Sequence, residues 1–328
     1  MQNPMADADS RAQFCNNITK EHKDIIFVAV YSLVFIAGLI LNLMAIVVFF
    51  CQTKSRSHTT VYMTNLAVAD LFLVCTLPFR IYYHSFKSPA QRICDIAGLI
   101  LLANMYGSIF LLTCVCLDRC LAVCFPMSSR IQEARKKAPL VCVGIWILSL
   151  GASLPVYLGG GRHLTNETGQ CFRSFPLYAT QTAALTSSLV IGYGIPLVIM
   201  IVCSWGLVRA INKSTAAQTD SLVNSSKIQK MVSTNLVIFL VCFLPYHVIL
   251  GVIHSYKNRV KDIPCPVISA YQYSLMIACL NASLDPLTYY FTTETFRKKV
   301  DMDVVWRLWP LNSHSSDGNN RSRAPLNT

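Results

Sequence analysis

The amino-acid sequence predicts an all-α membrane protein, a seven-transmembrane helix bundle followed by a short amphipathic eighth helix. Of the 328 residues, 53% are hydrophobic and only 13% are charged, whereas a soluble domain carries about 25% charged residues. Seven apolar windows are each long enough to cross a bilayer as a helix, which takes about 20 residues. Positive charge is concentrated at alternate ends of these windows.

The windows divide the chain into its predicted regions. They cover 25–50, 59–83, 93–116, 138–158, 180–208, 232–254 and 267–291. A soluble helical bundle is the alternative, but its helices keep one polar face, and these windows mostly lack one. The predicted regions are an extracellular tail at 1–24, the seven-transmembrane domain at 25–291, an amphipathic membrane-surface helix at 292–304 and a disordered cytoplasmic tail at 305–328.

The distribution of charge predicts the orientation. Well over half of the 28 Lys and Arg residues lie at 51–58, 118–137, 209–230 and 292–328, which by the positive-inside bias are cytoplasmic. We therefore expect a multi-pass protein of the plasma membrane with its amino terminus outside. The sequons that begin at Asn17 and Asn166 fall on the outer side, where both could be glycosylated.

Four of the 14 cysteines lie on the predicted extracellular side, at Cys15, Cys94, Cys171 and Cys265. In an oxidising compartment, an even set of this kind indicates two disulfide bonds. The sequence alone allows three pairings. A bond between Cys94 and Cys171 would pin the second outer loop over the bundle, and a bond between Cys15 and Cys265 would clamp the tail to the seventh helix.

Two carboxylates inside the windows form a candidate ion site. Asp70 and Asp285 lie within spans, where an ionisable side chain is expensive to bury and is a functional candidate. With the neutral oxygens of Asn104, Ser108 and Asn281, they could hold a small cation or share protons. The alternative is a hydrogen-bonded packing network without an ion. If the site holds a metal ion, we expect that ion to be sodium, bound at Asp70.

Two features indicate a switch in the cytoplasmic half. Asp118 and Arg119 stand where the third helix emerges from the membrane. Pro245 lies inside the sixth window, where it removes a backbone hydrogen bond and kinks the helix. Each feature alone is a weak signal, because adjacent opposite charges and kinked helices are common.

In order and spacing, these residues resemble class A, rhodopsin-like G protein-coupled receptors over residues 25–304. The matching motifs are Gly38–Asn42, Leu66–Asp70, Asp118–Cys120, Trp146, Pro196, Phe239, Cys242–Pro245, Asp285–Tyr289 and the amphipathic Glu294–Lys299. The stretches 76–80, 104–108, 235–246 and 284–286 are similar to lysophosphatidic acid and purinergic nucleotide receptors, and the lysophosphatidic acid branch looks closest. A bond between Cys15 and Cys265 is likewise similar to that cluster.

Four positions depart from the family pattern. Cys120 replaces a tyrosine, Phe243 a tryptophan and Asp285 an asparagine, although the last two changes also occur in the suggested cluster. Ser204 replaces a tyrosine that normally helps to hold the released Arg119 in the active state. The family's latch for the active state therefore does not carry over to this chain.

The resemblance implies a two-state bundle that transmits an outer ligand signal to a heterotrimeric G protein, with arrestin as a further candidate partner. Sodium would favour the inactive state. Asp118 would hold Arg119 at rest, and the released Arg119 would meet the G protein. The residues assigned to coupling and switching are Asp118, Arg119, Phe239, Phe243, Pro245 and Tyr289.

The predicted ligand is anionic. Leu101 stands where the family's amine receptors carry an aspartate, so a cationic amine is not expected as the ligand. No lysine lies at 267–291, and because retinal needs a lysine to form its Schiff base, the chain is not expected to be an opsin. Arg80 lies within a helix, and we expect it and Arg173 to pair with a phosphate or carboxylate head group. The supporting and wall-forming residues are Lys23, His84, His247, His254, Tyr83, Tyr106, Tyr246 and Tyr271.

The predicted function is thus a receptor for lysophosphatidic acid or a related lysophospholipid, with nucleotides or small carboxylates as alternative ligands. An ion- or proton-coupled transporter is the alternative of a different class, but the windows show no obvious internal repeat. No nucleophile elbow or phosphate loop appears, so we expect neither an enzyme nor a cofactor beyond sodium. The net charge of +12 follows the membrane bias and does not indicate nucleic-acid binding.

Overall fold

The computed structural model describes residues 20–51, 58–86, 91–158, 179, 181–214, 219–256 and 263–292, and within these ranges it contains helices and turns but no strand. We number the helices in chain order. They are α1 (Lys20–Cys51), α2 (His58–Phe86), α3 (Gln91–Cys124), α4 (Ser129–Lys136), α5 (Ala138–Leu158), α6 (Thr182–Ser187, Ser188–Gly194 and Ile195–Ser214), α7 (Thr219–Ser255) and α8 (Cys265–Thr292).

The spanning helices match the predicted windows. α1, α2, α3, α6, α7 and α8 are each long and apolar enough to cross a membrane, and α5 completes the seventh span when it is taken together with the short α4, across a 50° bend. α3 and α7 extend well beyond their apolar windows, because a helix can continue with polar residues where it leaves the bilayer. The fold class is therefore confirmed, and the amphipathic helix predicted at 292–304 lies outside the described residues, except for Thr292, the last residue of α8.

α1 carries a stripe of apolar side chains on its exposed face. Leu33, Ile36, Ile40, Leu43 and Val47 follow one another at steps of three and four residues and are all exposed on the surface of the bundle. In a soluble protein such a stripe would be unfavourable, but lipid tails are as apolar as leucine. The exposed stripe is therefore the lipid-facing side of α1.

α6 contains a π-helical segment at Ser188–Gly194, directly before Pro196. Proline has no backbone N–H, so the carbonyl four residues before it loses its usual helical partner. α3 approaches this segment closely, because a Cβ atom added at Gly192 would lie 2.7 Å from Cε1 of Tyr106. The Tyr106 hydroxyl lies 2.5 Å from the Ser188 Oγ, which ties α3 to the segment.

α1, α2 and α8 meet closely around Gly38. The Asn42 Nδ2 donates hydrogen bonds to the carbonyl oxygens of Gly38 at 2.9 Å and Ala282 at 2.7 Å. A Cβ atom added at Gly38 would lie 2.8 Å from the Cγ2 of Val74, which is fully buried. A β-branched side chain held in a packed core has little freedom to move away. The contact therefore requires a glycine.

We expect Gly38→Ala to lower the free energy of unfolding by about 1 to 3 kcal/mol, the usual cost of overpacking a core. Gly144→Ala is the matched control, since a Cβ atom there meets nothing within 4 Å and alanine is the better helix former by about 1 kcal/mol. Thermal unfolding of both purified variants in one detergent measures the difference. Equal midpoints for the two variants would contradict the packing argument.

Candidate ligand site and cytoplasmic switch

Arg80 is a buried cation in the half of the bundle that the sequence predicts to be extracellular. It lies on α2 with only 2% of its surface exposed, and its Nη2 donates a hydrogen bond to the Ala97 carbonyl on α3 at 3.1 Å. It also contacts Tyr31 on α1. The guanidinium is therefore held inside the bundle, as its position within the second window predicted. A buried cation of this kind is stabilised by an anionic ligand.

Four more polar residues lie at the predicted outer ends of α1, α2 and α8. The Lys23 Nζ donates a hydrogen bond to the Ser269 Oγ at 2.6 Å. The His84 Nδ1 lies 2.9 Å from an Asp24 carboxylate oxygen, and the His84 ring stacks on Phe27 with centroids 4.6 Å apart. The sequence reasoning missed Asp24, because an acid at the start of a span has no distinctive local signal.

Three of the four predicted wall tyrosines, Tyr106, Tyr246 and Tyr271, form a continuous set of ring contacts with His247. His247 lies at the centre, with ring centroids 6.0 Å from Tyr106, 5.3 Å from Tyr246 and 4.4 Å from Tyr193. Tyr246 in turn contacts Tyr271 at 6.1 Å. Tyr193 was not among the predicted site residues, although its place next to the fifth-helix proline was a usable signal.

The remaining predicted ligand residues are Tyr83, His254 and Arg173. Tyr83 is buried against Cys94, and its ring meets His84 edge-on at 5.4 Å. The His254 Nδ1 donates a hydrogen bond to the Ala179 carbonyl at 2.9 Å, so that histidine braces the outer end of α7. Arg173 lies outside the described residues.

Four of the five residues of the candidate ion site are in contact, and the fifth, Ser108, lies one helical turn along α3 from Asn104. The Asn104 Nδ2 donates to Asp70 at 3.2 Å, the Asn281 Nδ2 donates to Asp285 at 3.0 Å, and the two acids interact directly. Four buried oxygens, on Asp70, Ser108, Asn281 and Asp285, have no hydrogen-bond partner among the described residues. Such oxygens fit either a small hard cation or a shared proton.

The cytoplasmic switch differs from the expectation. Asp118 does not hold Arg119. Instead, its carboxylate accepts hydrogen bonds from the Arg135 Nε at 2.7 Å and Nη2 at 3.2 Å, and a further one from the Thr59 hydroxyl. Neighbouring residues on a helix do not face each other, whereas Arg135 reaches Asp118 from α4 with two donors.

The hinge residues pack between α6, α7 and α8. Phe239 meets Phe243 edge-on at 5.8 Å and stacks on Tyr193 at 5.1 Å, while Pro245 lies inside α7 two residues beyond Phe243. Tyr289 meets Phe49 edge-on at 5.4 Å. The Thr288 hydroxyl donates to the Asn235 Oδ1 at 2.6 Å, a bond between α7 and α8 that the sequence reasoning missed.

Cys94 and Cys265 are both disulfide-bonded. Their predicted partners, Cys171 and Cys15, lie outside the described residues, so the pairing stays a prediction. The sequons at Asn17 and Asn166 also lie outside them.

This arrangement, with a cationic region at one end of a seven-helix bundle and an arginine-rich switch at the other, is that of a membrane receptor. Residues 41–289 match the 7 transmembrane receptor (rhodopsin family). The chain belongs to this family, which confirms the class A resemblance. Because the family consists of receptors, the expectation that the chain is not an enzyme is confirmed as well.

Similar proteins indicate which branch of the receptor family the chain resembles. The chain is 37% identical over 284 residues to mouse lysophosphatidic acid receptor 6, covering 83% of this chain and 82% of that protein. It is 37% identical over 298 residues to human lysophosphatidic acid receptor 4, covering 86% and 78%. It is also 33% identical over 272 residues to human G-protein coupled receptor 68, covering 81% and 73%.

Proposed function

We propose that this G protein-coupled receptor is activated by a lysophospholipid with a phosphate head group, of which lysophosphatidic acid is the first candidate. The observation that carries the proposal is Arg80, a cation buried among the outer halves of spanning helices. A guanidinium offers a fork of donors that matches phosphate geometry. Lys23 and His84, at the outer ends of α1 and α2, add donors near the entrance.

Two observations favour a lipid over a nucleotide or a small carboxylate. The relatives include receptors named for lysophosphatidic acid, and the core of the bundle contains buried aromatic and apolar side chains such as Tyr246 and Tyr271. Apolar surface of this kind suits an acyl chain. A nucleotide would instead need further polar groups for its base and ribose.

The proposal also includes the orientation of the chain in the membrane and the proteins that bind its cytoplasmic end. The amino terminus faces the outside of the plasma membrane, where Asn17 and Asn166 are expected to be glycosylated and Arg173 is expected to pair with the head group. The cytoplasmic end receives a heterotrimeric G protein and, after activation, arrestin. Ligand and G protein each favour the active state, so each raises the affinity of the receptor for the other.

A G protein assay tests the proposal. Purified receptor in lipid nanodiscs, with each class of Gα subunit, is exposed to lysophosphatidic acid, to nucleotides and to small carboxylates. Nucleotide exchange driven by the lysophospholipid alone is expected. Activation by nucleotides instead, with none by any lysophospholipid, would overturn the ligand class. A tag at residue 1 should be accessible to antibody on intact cells.

We also propose that Asp70 and Asp285 bind a sodium ion that favours the inactive state. Raising sodium should then lower agonist affinity by at least about fivefold, the lower end of typical coupling between two sites. In Asp70→Asn, which loses a carboxylate charge, the response to sodium should disappear. Agonist binding measured in sodium and in choline chloride of equal ionic strength separates the ion from general screening.

Ser283→Ala is the control for this variant, because the Ser283 hydroxyl bonds only its own helix, at the Leu280 carbonyl, among the described residues. It should keep the sodium response. A sodium response that persists in Asp70→Asn would instead support a packing network that holds no ion.

A further inference from the structure

We propose that Arg135 is a positioning residue for G protein coupling. By occupying the Asp118 carboxylate, it keeps that acid from capturing Arg119 and leaves Arg119 available to the G protein. The inference goes beyond the ligand assignment, since it concerns the cytoplasmic end of the bundle and needs no agonist.

The geometry of the pair is specific. Arg135 approaches Asp118 with two nitrogens, at 2.7 and 3.2 Å, and Thr59 of α2 adds a third donor. Asp118 is only 4% exposed. A carboxylate that already accepts three hydrogen bonds in a nearly closed site has little capacity for another cation. The acid therefore joins α2, α3 and α4, and Arg119 takes no part in this group.

Arg119 is left without the partner that the family pattern implies. Its Nε is buried and has no hydrogen-bond partner among the described residues. Arg119 remains close enough to Asp118 for their charges to attract. Once Arg135 is removed, the freed carboxylate has Arg119 as the next cation along its own helix, and the long arginine side chain can fold back towards it.

The pair also decides where α4 lies. Ser129–Lys136 contains no buried residue. Among the residues that the structure describes, the bonds from Arg135 are the only side-chain hydrogen bonds that join this helix to a spanning helix. A short helix that buries no side chain depends on such polar contacts for its position. Loss of the pair should therefore release α4 as well as Asp118.

The functional test is a pair of single variants and their combination in full-length receptor reconstituted in nanodiscs. Without agonist and at saturating G protein, Arg135→Ala should lower the exchange rate by about fivefold or more, measured with the Gα class that gives the highest wild-type rate. Asp118→Asn in the same background should restore the rate, because no carboxylate remains to capture Arg119. Arg135→Lys should retain part of it.

Lys136→Ala is the matched control, since it removes the same charge from an exposed neighbour on the same helix. A merely structural role for Arg135 predicts that Asp118→Asn fails to restore exchange. That result would overturn the proposal, as would an unchanged or increased rate in Arg135→Ala.

Hydrogen–deuterium exchange of residues 129–136 tests the pair independently of any G protein. Arg135→Ala and Asp118→Asn should each accelerate amide exchange there, and the double variant should show no further acceleration, since both changes break one interaction. Additive effects of the two changes would show that they act separately, and would overturn the proposed pair.

Discussion

Arg119→Ala is expected to abolish agonist-driven nucleotide exchange while ligand binding at the cell surface is retained. Arg119 lies near the carboxyl-terminal end of α3, at the opposite end of the bundle from Arg80, and its Nε has no hydrogen-bond partner among the described residues. A guanidinium whose Nε has no such partner can donate hydrogen bonds to backbone carbonyls of an inserted G protein helix. Two charge-assisted hydrogen bonds of about 1.5 to 3 kcal/mol each correspond to a loss of at least about 100-fold.

The measurement combines agonist binding on intact cells with nucleotide exchange in membranes from the same cells. Arg130→Ala serves as the control, because it removes an exposed arginine from α4 and should leave both readings close to wild type. Full exchange by Arg119→Ala would refute its role. Loss of surface binding together with exchange would point to misfolding, and the role would then be tested with Arg119→Gln.

The second large effect is expected at Arg80. Arg80→Ala should weaken the potency of an anionic agonist by at least tenfold, because it removes a charge-assisted hydrogen bond of about 1.5 to 3 kcal/mol in a buried site. Arg80→Lys should recover only part of the loss, since an ammonium group keeps the charge but lacks the planar fork of donors. Agonist dose–response curves, corrected for surface expression, measure both changes.

A control at the other end of the molecule is Arg209→Ala. Arg209 is exposed and lies over the Trp205 ring at 4.8 Å, far along α6 from the proposed head-group site. Its removal should leave agonist affinity unchanged. If Arg80→Ala kept wild-type potency for every anionic agonist, Arg80 would be excluded from the ligand site.

The spans and the ion-site residues could be predicted because their signals are local. A window such as 25–50 is apolar over its whole length, and a carboxylate such as Asp70 is conspicuous within such a window. Helical geometry and membrane thickness then restrict where each residue can lie. The grouping of Asp70, Asn104 and Asp285 in the structure follows from those restrictions together with the family motifs.

The partners of the charges near the helix ends could not be predicted in this way. Whether Asp118 binds Arg119 or Arg135 depends on the path of the chain through Phe125–Ser128. Pro126 marks a turn there, but a turn signal does not determine how far Arg135 lies from Asp118. The contact between His84 and Asp24 likewise joins two helices whose relative height the sequence does not state. Asn235 is different, because a lone asparagine in an apolar window was a signal that could have been used.

The π-helical segment of α6 has a consequence for how the outer end of that helix is aimed. A π turn holds one residue more than an α turn, so the extra residue is taken up inside Ser188–Gly194 itself. Deleting one residue there would let the helix close into a regular spiral, and the six residues of Thr182–Ser187 would keep nearly the direction that they have now. Deleting one residue from the regular stretch Ile195–Ser214 would instead rotate the residues beyond the deletion by about 100° around the axis. In this part of the receptor, the wide turn is the place where the chain can lose a residue without turning its outer side chains away.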